Sequence, residues 1–558
     1  MAGLASCAYV LDPIGSVATG AALSGSSSIM VRKNVAEILH NHVTFKLEAI
    51  DRMYLNAYVP SLQTGGGFVW FVKTQLAARV PSTMMVAPMS QQFVAAIERF
   101  VETQGIDLVT FEKGQRKDAV AQQYLAQFEG EEGVLFVGKA QEKASVFRTE
   151  KRTDAQGVRY PWIIRSTAMV NHYYVYIVDR DFGPLFIKFC SYFPYPAKLC
   201  LNGHEWLKRQ LTSREVPFEP LDNGIRSTAA PERVQRIADT LDAAKIEAVF
   251  RKWLRRLPHP FAAAHRAAGY RYQLSVLQAE FALTQVLDRP LTGRCFFEEV
   301  IRENLDIGRP DQMQLIFARP VTRRTPGSFR TRVLTEGVVP SLHVQYKKSK
   351  VKQYHKEGQA LRTETTINDT YDFAIGRALK NLPALREIGF AANRRLLHVE
   401  SLSHDCLIGE DRLRTVTAPI AVQDQRAAGL RFGDPRVHAL MHALCLFALA
   451  PTGFRHRELR NHVAQLQSRE PDTYSAGAMT YDLRRLRLHG LIERVPRSHR
   501  YRITTIGAQV AMFYARLYTR ALRPACSLQP VGSAHAQRAF DRLDTALARF
   551  LEEVTLAA

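Results

Sequence analysis

The sequence predicts an α+β protein of several domains, with a strand-rich N-terminal and central body, a helical insert and a small C-terminal unit of helices and a hairpin. Three observations carry this. Apolar and polar residues alternate with period two around 43–50, 172–193 and 343–367; apolar residues recur at helical spacing between those stretches; and no 20–50-residue repeat marks a solenoid or propeller. At about 100–200 residues per domain, 558 residues suggest roughly three or four domains, and 46% hydrophobic residues is enough for each to bury a core.

The elements follow in order. Residues 1–32, rich in Gly, Ala and Ser, predict a flexible tail. A strand-rich α/β domain spans 33–204, with a strand at Val43–Ile50 and a buried strand at Gly67-Phe-Val-Trp-Phe-Val72 after the Gly65–Gly67 turn. Amphipathic helices follow at Gln91–Thr103 and Ala119–Phe128, then a hairpin of His172–Asp179 and Pro184–Phe193 turning at Asp181–Gly183. Residues 205–315 read as mainly helical, through Glu232–Leu257 and an amphipathic helix at Tyr270–Leu287. A β-rich basic domain at 316–425 carries strands beginning at His343, Val351 and Leu361, and a closing helix is expected within 523–558.

Charge narrows the function. The chain has 75 Lys and Arg against 53 Asp and Glu, a formal net charge of +22, and a pI near 9.8. Such a surplus suits a polyanion, because each cation set on a phosphate releases condensed counterions. No run of about 18 apolar residues and no basic start with an apolar block are present, so a cytoplasmic protein with no membrane partner is expected. Seven scattered cysteines without a CxxC pair read as reduced thiols. The absence of GxxxxGK[ST], strand-linked GxGxxG, HExxH and GxSxG demotes ATP-driven motors, dinucleotide enzymes, zincins and serine hydrolases.

Between 434 and 522 helices are expected at Pro435–Ala450, Arg455–Leu466 and Ala476–His489. Gly490 suits a left-handed helix end, and strands at Leu491–Ile492 and Tyr501–Ile503 flank the Pro496–His499 turn. This is the order of a winged helix-turn-helix. Arg484, Arg485 and Arg487 lie on the third helix and Arg494, Arg497, Arg500 and Arg502 on the wing, where groove and phosphate contacts need cations. The runs Leu483-Arg-Arg-Leu-Arg-Leu-His-Gly-Leu-Ile-Glu-Arg-Val495 and Tyr501-Arg-Ile-Thr-Thr-Ile-Gly507 resemble the helix-to-wing passage of MarR-type regulators over under a fifth of the chain. The resemblance implies DNA contact, with protein or RNA contact as alternatives. The helix from Thr505 to Leu522 closes this domain or forms a homodimer seam.

In the basic domain, Tyr346-Lys-Lys-Ser-Lys-Val-Lys-Gln-Tyr-His-Lys356 precedes an Arg362-Thr-Glu364 strand. The order resembles the closing segment of rolling-circle replication initiators. There a tyrosine attacks a phosphodiester beside a lysine and a metal-holding glutamate, which implicates Tyr346 or Tyr354, Lys356 and Glu364. The chain departs from that family in lacking a His-hydrophobic-His pair, since His343 and His355 stand apart. The alternative reading makes Lys347, Lys348, Lys350, Lys352 and Lys356 a cationic face on phosphates, with Tyr346 and Tyr354 stacking on bases and Arg362 pairing with Glu364. Asp179 and Asp181, with His204-Glu205 nearby in sequence, are a second candidate metal cluster, or else shape a turn and a first helical turn. Tyr173, Tyr174, Tyr176, Phe186, Phe189, Tyr192, Phe193 and Tyr195 beside Lys188 and Lys198 suggest stacking with single strands.

Together these features point to a nucleic-acid-binding protein, DNA first and RNA second, acting in replication or transposition of a mobile element. It needs no cofactor for binding, and Mg²⁺ only if it is a nuclease. The rival readings are a metal-dependent nuclease or tyrosine strand-transferase, an RNA-binding ribonucleoprotein subunit, and a plain transcriptional regulator.

Overall fold

The computed structural model describes residues 35–518 apart from residue 113, parts of 304–340, and 405–407, 448–452 and 468–473. The expected tail and the helix within 523–558 lie outside the described residues.

The architecture is mixed α+β around one large sheet. In chain order its strands are β1 (Val43–Tyr58), β2 (Leu108–Thr110), β3 (Gly133–Thr153), β4 (Arg159–Asp179), β5 (Gly183–Cys190) and β6 (Ala197–Asn202). A separate two-stranded hairpin, β7 (Phe218–Leu221) and β8 (Gly224–Thr228), comes next. The large sheet then continues with β9 (Gln273–Leu287), β10 (Phe329–Leu334), β11 (Ser341–Tyr346), β12 (Ser349–Lys356) and β13 (Ala360–Ile367). The order is β10-β11-β12-β13-β9-β1-β6-β5-β4-β3-β2, antiparallel throughout except for the β2–β3 pair. Strands from both ends of the body therefore share one sheet, joined at β9, which pairs with β1 on one side and β13 on the other.

Helices Gly203–Ser213, Pro231–Asp239, Ala243–Arg256 and Leu382–His404 supply much of the core packed on this sheet. Asn202 caps the first, its side chain accepting from the His204 and Glu205 amides, and Asp242 caps the third at Lys245. Gly389 lets the last helix lie directly on β9, since a Cβ there would sit 2.3 Å from the Phe281 ring.

Three sequence expectations are corrected. Residues 67–72 belong to a helix, Gly65–Gln75, not a strand. Thr64 caps it by accepting from the Gly67 amide at 3.1 Å, and a Cβ on Gly67 would lie 1.7 Å from the Ser61 carbonyl oxygen. Phe68, Phe71 and Val72 are buried at helical spacing and Trp70 is 66% exposed. Residues 273–287 are strand β9, not a helix. From Phe281 to Leu287 this central strand is buried on both faces, which erases there the alternation that marks an edge or half-exposed strand. The single helix expected over 232–257 is two, broken before Asp242. The hairpin turning at Asp181–Gly183 and the strands within 341–367 form as the alternation predicts.

A second hydrophobic core, running from Val416 to Tyr514, is distinct from that of the body. It holds a β14–β15 hairpin (Ile420–Val422 and Gln425–Ala427), helices Pro435–Phe447, His456–Leu466, Ala476–Leu488 and Thr505–Leu517, and a small sheet. In that sheet β18 (Arg500–Ile503) lies between β16 (Phe454–Arg455) and β17 (Ile492–Arg494). Ser475 caps the third helix at Ala478, and Gly490 turns the chain out of it at φ 70°. Val510, Ala511 and Tyr514 of the last helix are buried in this core. Among the described residues no helix is long and apolar enough to cross a membrane.

Candidate nucleic-acid interface

In the C-terminal unit, Met479, Asp482, Leu483, Arg485 and Leu486 form the buried side of the third helix. Gly477, Thr480, Tyr481, Arg484 and Arg487 form an exposed stripe on it. Arg485 is therefore not a surface cation as the sequence suggested. It is 6% exposed, and its guanidinium donates to the Ala428 carbonyl at 3.2 Å and the Gly429 carbonyl at 2.6 Å. Three residues before it, Asp482 is buried and held by Arg436, whose Nε and Nη2 both reach Oδ2 at 2.9 and 2.7 Å. Arg484 and Arg487 stay exposed while donating to the Arg426 carbonyl and the Gln425 side chain of the β14–β15 hairpin.

The β17–β18 hairpin sorts its arginines similarly. Arg502 pairs with Glu493, and Arg500 donates to the Gly453 carbonyl at 2.9 Å. Arg494 and Arg497 are exposed, and neither forms an ion pair among the described residues; Arg497 occupies the turn at φ 56°.

In the body, cross-strand partners share a sheet face. Register therefore gathers Lys350 and Lys352 of β12, Glu364 of β13, Gln278 and Glu280 of β9, Tyr54 and Asn56 of β1, and Lys198 of β6. This half-exposed polar face includes Lys350, Lys352, Tyr354, Lys356 and Glu364 from the sequence reading. The Lys352 ammonium lies 4.1 Å from the Tyr354 ring centre.

Other expected members are elsewhere. Tyr346 points to the opposite face, 1% exposed and stacked on Phe317 at 4.8 Å, so it is a core residue. Lys347 occupies the β11–β12 turn at φ 52°, and Lys348 pairs with Asp369 at 2.8 Å. Lys356 lies 3.4 Å from Glu357 and 3.9 Å from Asp222.

Behind Tyr354 lies a buried polar cluster in which the expected Arg362–Glu364 pair is joined by Asp51 and Asn223, which motif reading missed. The Tyr354 hydroxyl donates to Glu364 at 2.9 Å. Arg362, fully buried, lies 3.2 Å from Glu364 and 3.5 Å from Asp51, donates to the Asn223 carbonyl and contacts His204. The Asn223 amide donates to Asp51 at 2.8 Å. Burial and the Asp51 charge push the Glu364 carboxyl up to about 7, against the pull of Arg362. Burial works against the Asp51 charge, yet His204, Arg362 and the Asn223 amide hold that carboxyl at about 2. Burial brings the His204 ring down to about 3. Burial and Glu364 also push the Tyr354 hydroxyl well above its ordinary range. A nucleophilic tyrosine needs the reverse, a lowered proton affinity or a basic neighbour. The available signal for this face is the alternation of polar residues along β1 and at Gln278 and Glu280 in the first half of β9.

The Asp179/Asp181 pair is a turn, not a metal cluster. Asp179 is 1% exposed; one oxygen accepts from the Asp181 and Phe182 amides and the other from Lys252 at 2.7 Å and the Trp253 indole at 2.8 Å. Asp181 is exposed. The aromatic hairpin is likewise mostly core: Tyr173, Phe189, Phe193 and Tyr195 pack in the main core, and Tyr174 and Tyr176 pack against Phe111 and Phe136. Among the described residues no three His, Cys, Asp or Glu side chains are grouped to hold a metal ion. No protein family, curated protein or solved structure matches the chain.

Proposed function

We propose that the chain binds DNA, its C-terminal unit acting as a winged helix-turn-helix on duplex. The observation that carries this reading is the exposed stripe of the Ala476–Leu488 helix in the same small unit as the exposed Arg494 and Arg497. The stripe offers Thr480, Tyr481, Arg484 and Arg487 to a major groove, and the two exposed wing arginines, Arg494 with one bond from its Nε to the Ser498 carbonyl, are available for backbone phosphates. The polar sheet face of the body, with Lys350, Lys352 and Tyr354, suits phosphate backbone or a single strand. A protein that docks on duplex through one unit and holds a strand on another suits replication or transposition of a mobile element.

The test is fluorescence anisotropy of the full chain on labelled duplex over a salt series, with an RNA competitor. Arg494→Glu with Arg497→Glu is expected to lower affinity at least tenfold and to flatten the log K against log salt slope by about 1.8, at about 0.9 per phosphate. Unchanged affinity and slope would sink the wing assignment, and loss of duplex binding to the RNA competitor would move the preference to RNA.

A further inference from the structure

Strands β3 and β4 reach far beyond the rest of the sheet. β2 pairs with β3 only at Val137–Lys139 of β3, and β5 pairs with β4 only at His172–Asp179 of β4. From Gln141–Asn171 to Thr153–Arg159, thirteen cross-strand pairs, the two strands pair solely with each other. At about 3.3 Å per residue this is a ribbon roughly 43 Å long. Its inner nine pairs, as far as Thr149–Ile163, are braced on one side, which leaves four pairs at the tip beyond the brace. Phe147 packs on Phe68 at 5.1 Å, Arg165 donates to the Gln63 carbonyl, and the Thr83 amide donates to the Thr149 hydroxyl.

Beyond that brace every residue from Lys151 to Tyr160 is exposed. The outer ribbon, 143–165, carries Lys143, Arg148, Lys151, Arg152, Arg159 and Arg165 against two carboxylates. One of these, Asp154, accepts from the Gln156 and Val158 amides of the turn. Among the cations stand exposed apolar groups: Val158 at 59%, Tyr160 at 38% and Trp162 at 47%, with the Arg152 guanidinium 5.1 Å over the Trp162 ring. Charge alone would keep the ribbon edges from pairing with other chains, but that role calls for no aromatic rings beside the charge.

We propose that this ribbon is an arm that lies along a groove of duplex DNA, an inference that rests on the DNA-binding reading above. A two-stranded ribbon fits the roughly 12 Å width of the major groove. Register puts Tyr160, Trp162 and Arg152, the last 3.5 Å from Glu150, on one face of the ribbon and Lys151 and Arg159 on the other; the aromatic face meets base edges, and the long side chains of Lys151 and Arg159 reach round to the flanking phosphates. The excess of cations selects a polyanion over an apolar protein partner.

The experiment measures binding of the full chain to a duplex of about 40 base pairs across a salt series, for wild type, for Lys151→Glu with Arg152→Glu and Arg159→Glu, for Trp162→Ala, and for the wing pair. All four arm positions are solvent-exposed, and circular dichroism checks that each variant folds. The triple variant is expected to lose at least tenfold in affinity and about 2.7 in salt slope. Trp162→Ala is expected to lose most of the fluorescence change that DNA causes in wild type. If the wing pair weakens binding while the triple variant binds like wild type, the arm is wrong and the DNA-binding reading stands. If wild type binds no duplex, both are wrong.

Discussion

Arg485→Ala separates a structural arginine from the exposed Arg484 and Arg487 beside it, which the DNA-binding proposal sets on duplex. The side chain is almost fully buried and donates two charge-assisted hydrogen bonds to backbone carbonyls of residues 428 and 429. Bonds of this kind contribute roughly 1.5–3 kcal/mol each. Asp482 keeps Arg436, so its charge is not left alone. A loss of about 3 kcal/mol follows, and for a unit of this size each kcal/mol moves the midpoint by roughly 4–8 °C. The unit's melting temperature should fall by roughly 12–24 °C. All four tryptophans, Trp70, Trp162, Trp206 and Trp253, lie in the body. A thermal transition seen by far-ultraviolet circular dichroism but silent in tryptophan fluorescence therefore belongs to the C-terminal unit. Arg484→Ala, which removes an exposed side chain, should move that transition by no more than about 2–4 °C, in keeping with the roughly 0.5 kcal/mol of a surface change. At 10 °C, where Arg485→Ala remains folded, its DNA affinity and salt slope should match wild type. A melting temperature unchanged by Arg485→Ala, or a salt slope flattened by it in the folded state, would refute this assignment.

Two further predictions concern the body. Glu400 is fully buried, its carboxyl pushed up to about 8 by burial despite the Gln353 hydrogen bond. A folded-state value above the unfolded one gives stability that is complete below about pH 4.5 and lost as pH rises toward 8. Glu400→Gln should gain on wild type by on the order of 4 kcal/mol at pH 8.5 relative to pH 4.5, read by denaturant titration with tryptophan fluorescence, and parallel pH profiles would dismiss it. Arg362→Met leaves Asp51 buried without its cation, and urea midpoints should show a loss of roughly 3–5 kcal/mol. A loss under 1 kcal/mol would mean that the cluster is not held by that arginine.

Much of the fold was legible because it is set by neighbours in the chain. The turn at Asp179–Gly183 forms where Asp179 accepts the next amides, strands β11 and β12 alternate with one half-exposed face, and Ser475 and Gly490 mark the ends of the third helix of the C-terminal unit. Local spacing also put Lys350, Lys352, Tyr354 and Glu364 on a common face, because strand periodicity is two. The remainder depends on what lies across the fold. Strand β9 loses its alternation from Phe281 on because both faces are buried there, and Gly65 and Gly67 serve close contacts with Ile163 and Ser61 rather than a turn. Arg362 and Asp51 meet across 311 residues of chain, and Arg485 leaves the surface because carbonyls 56 and 57 residues away accept its protons. Periodicity and capping act over a few residues and fix which elements form. Whether a charged side chain is a free contact or a buried partner is decided by desolvation and pairing, and those exist only once distant segments have packed.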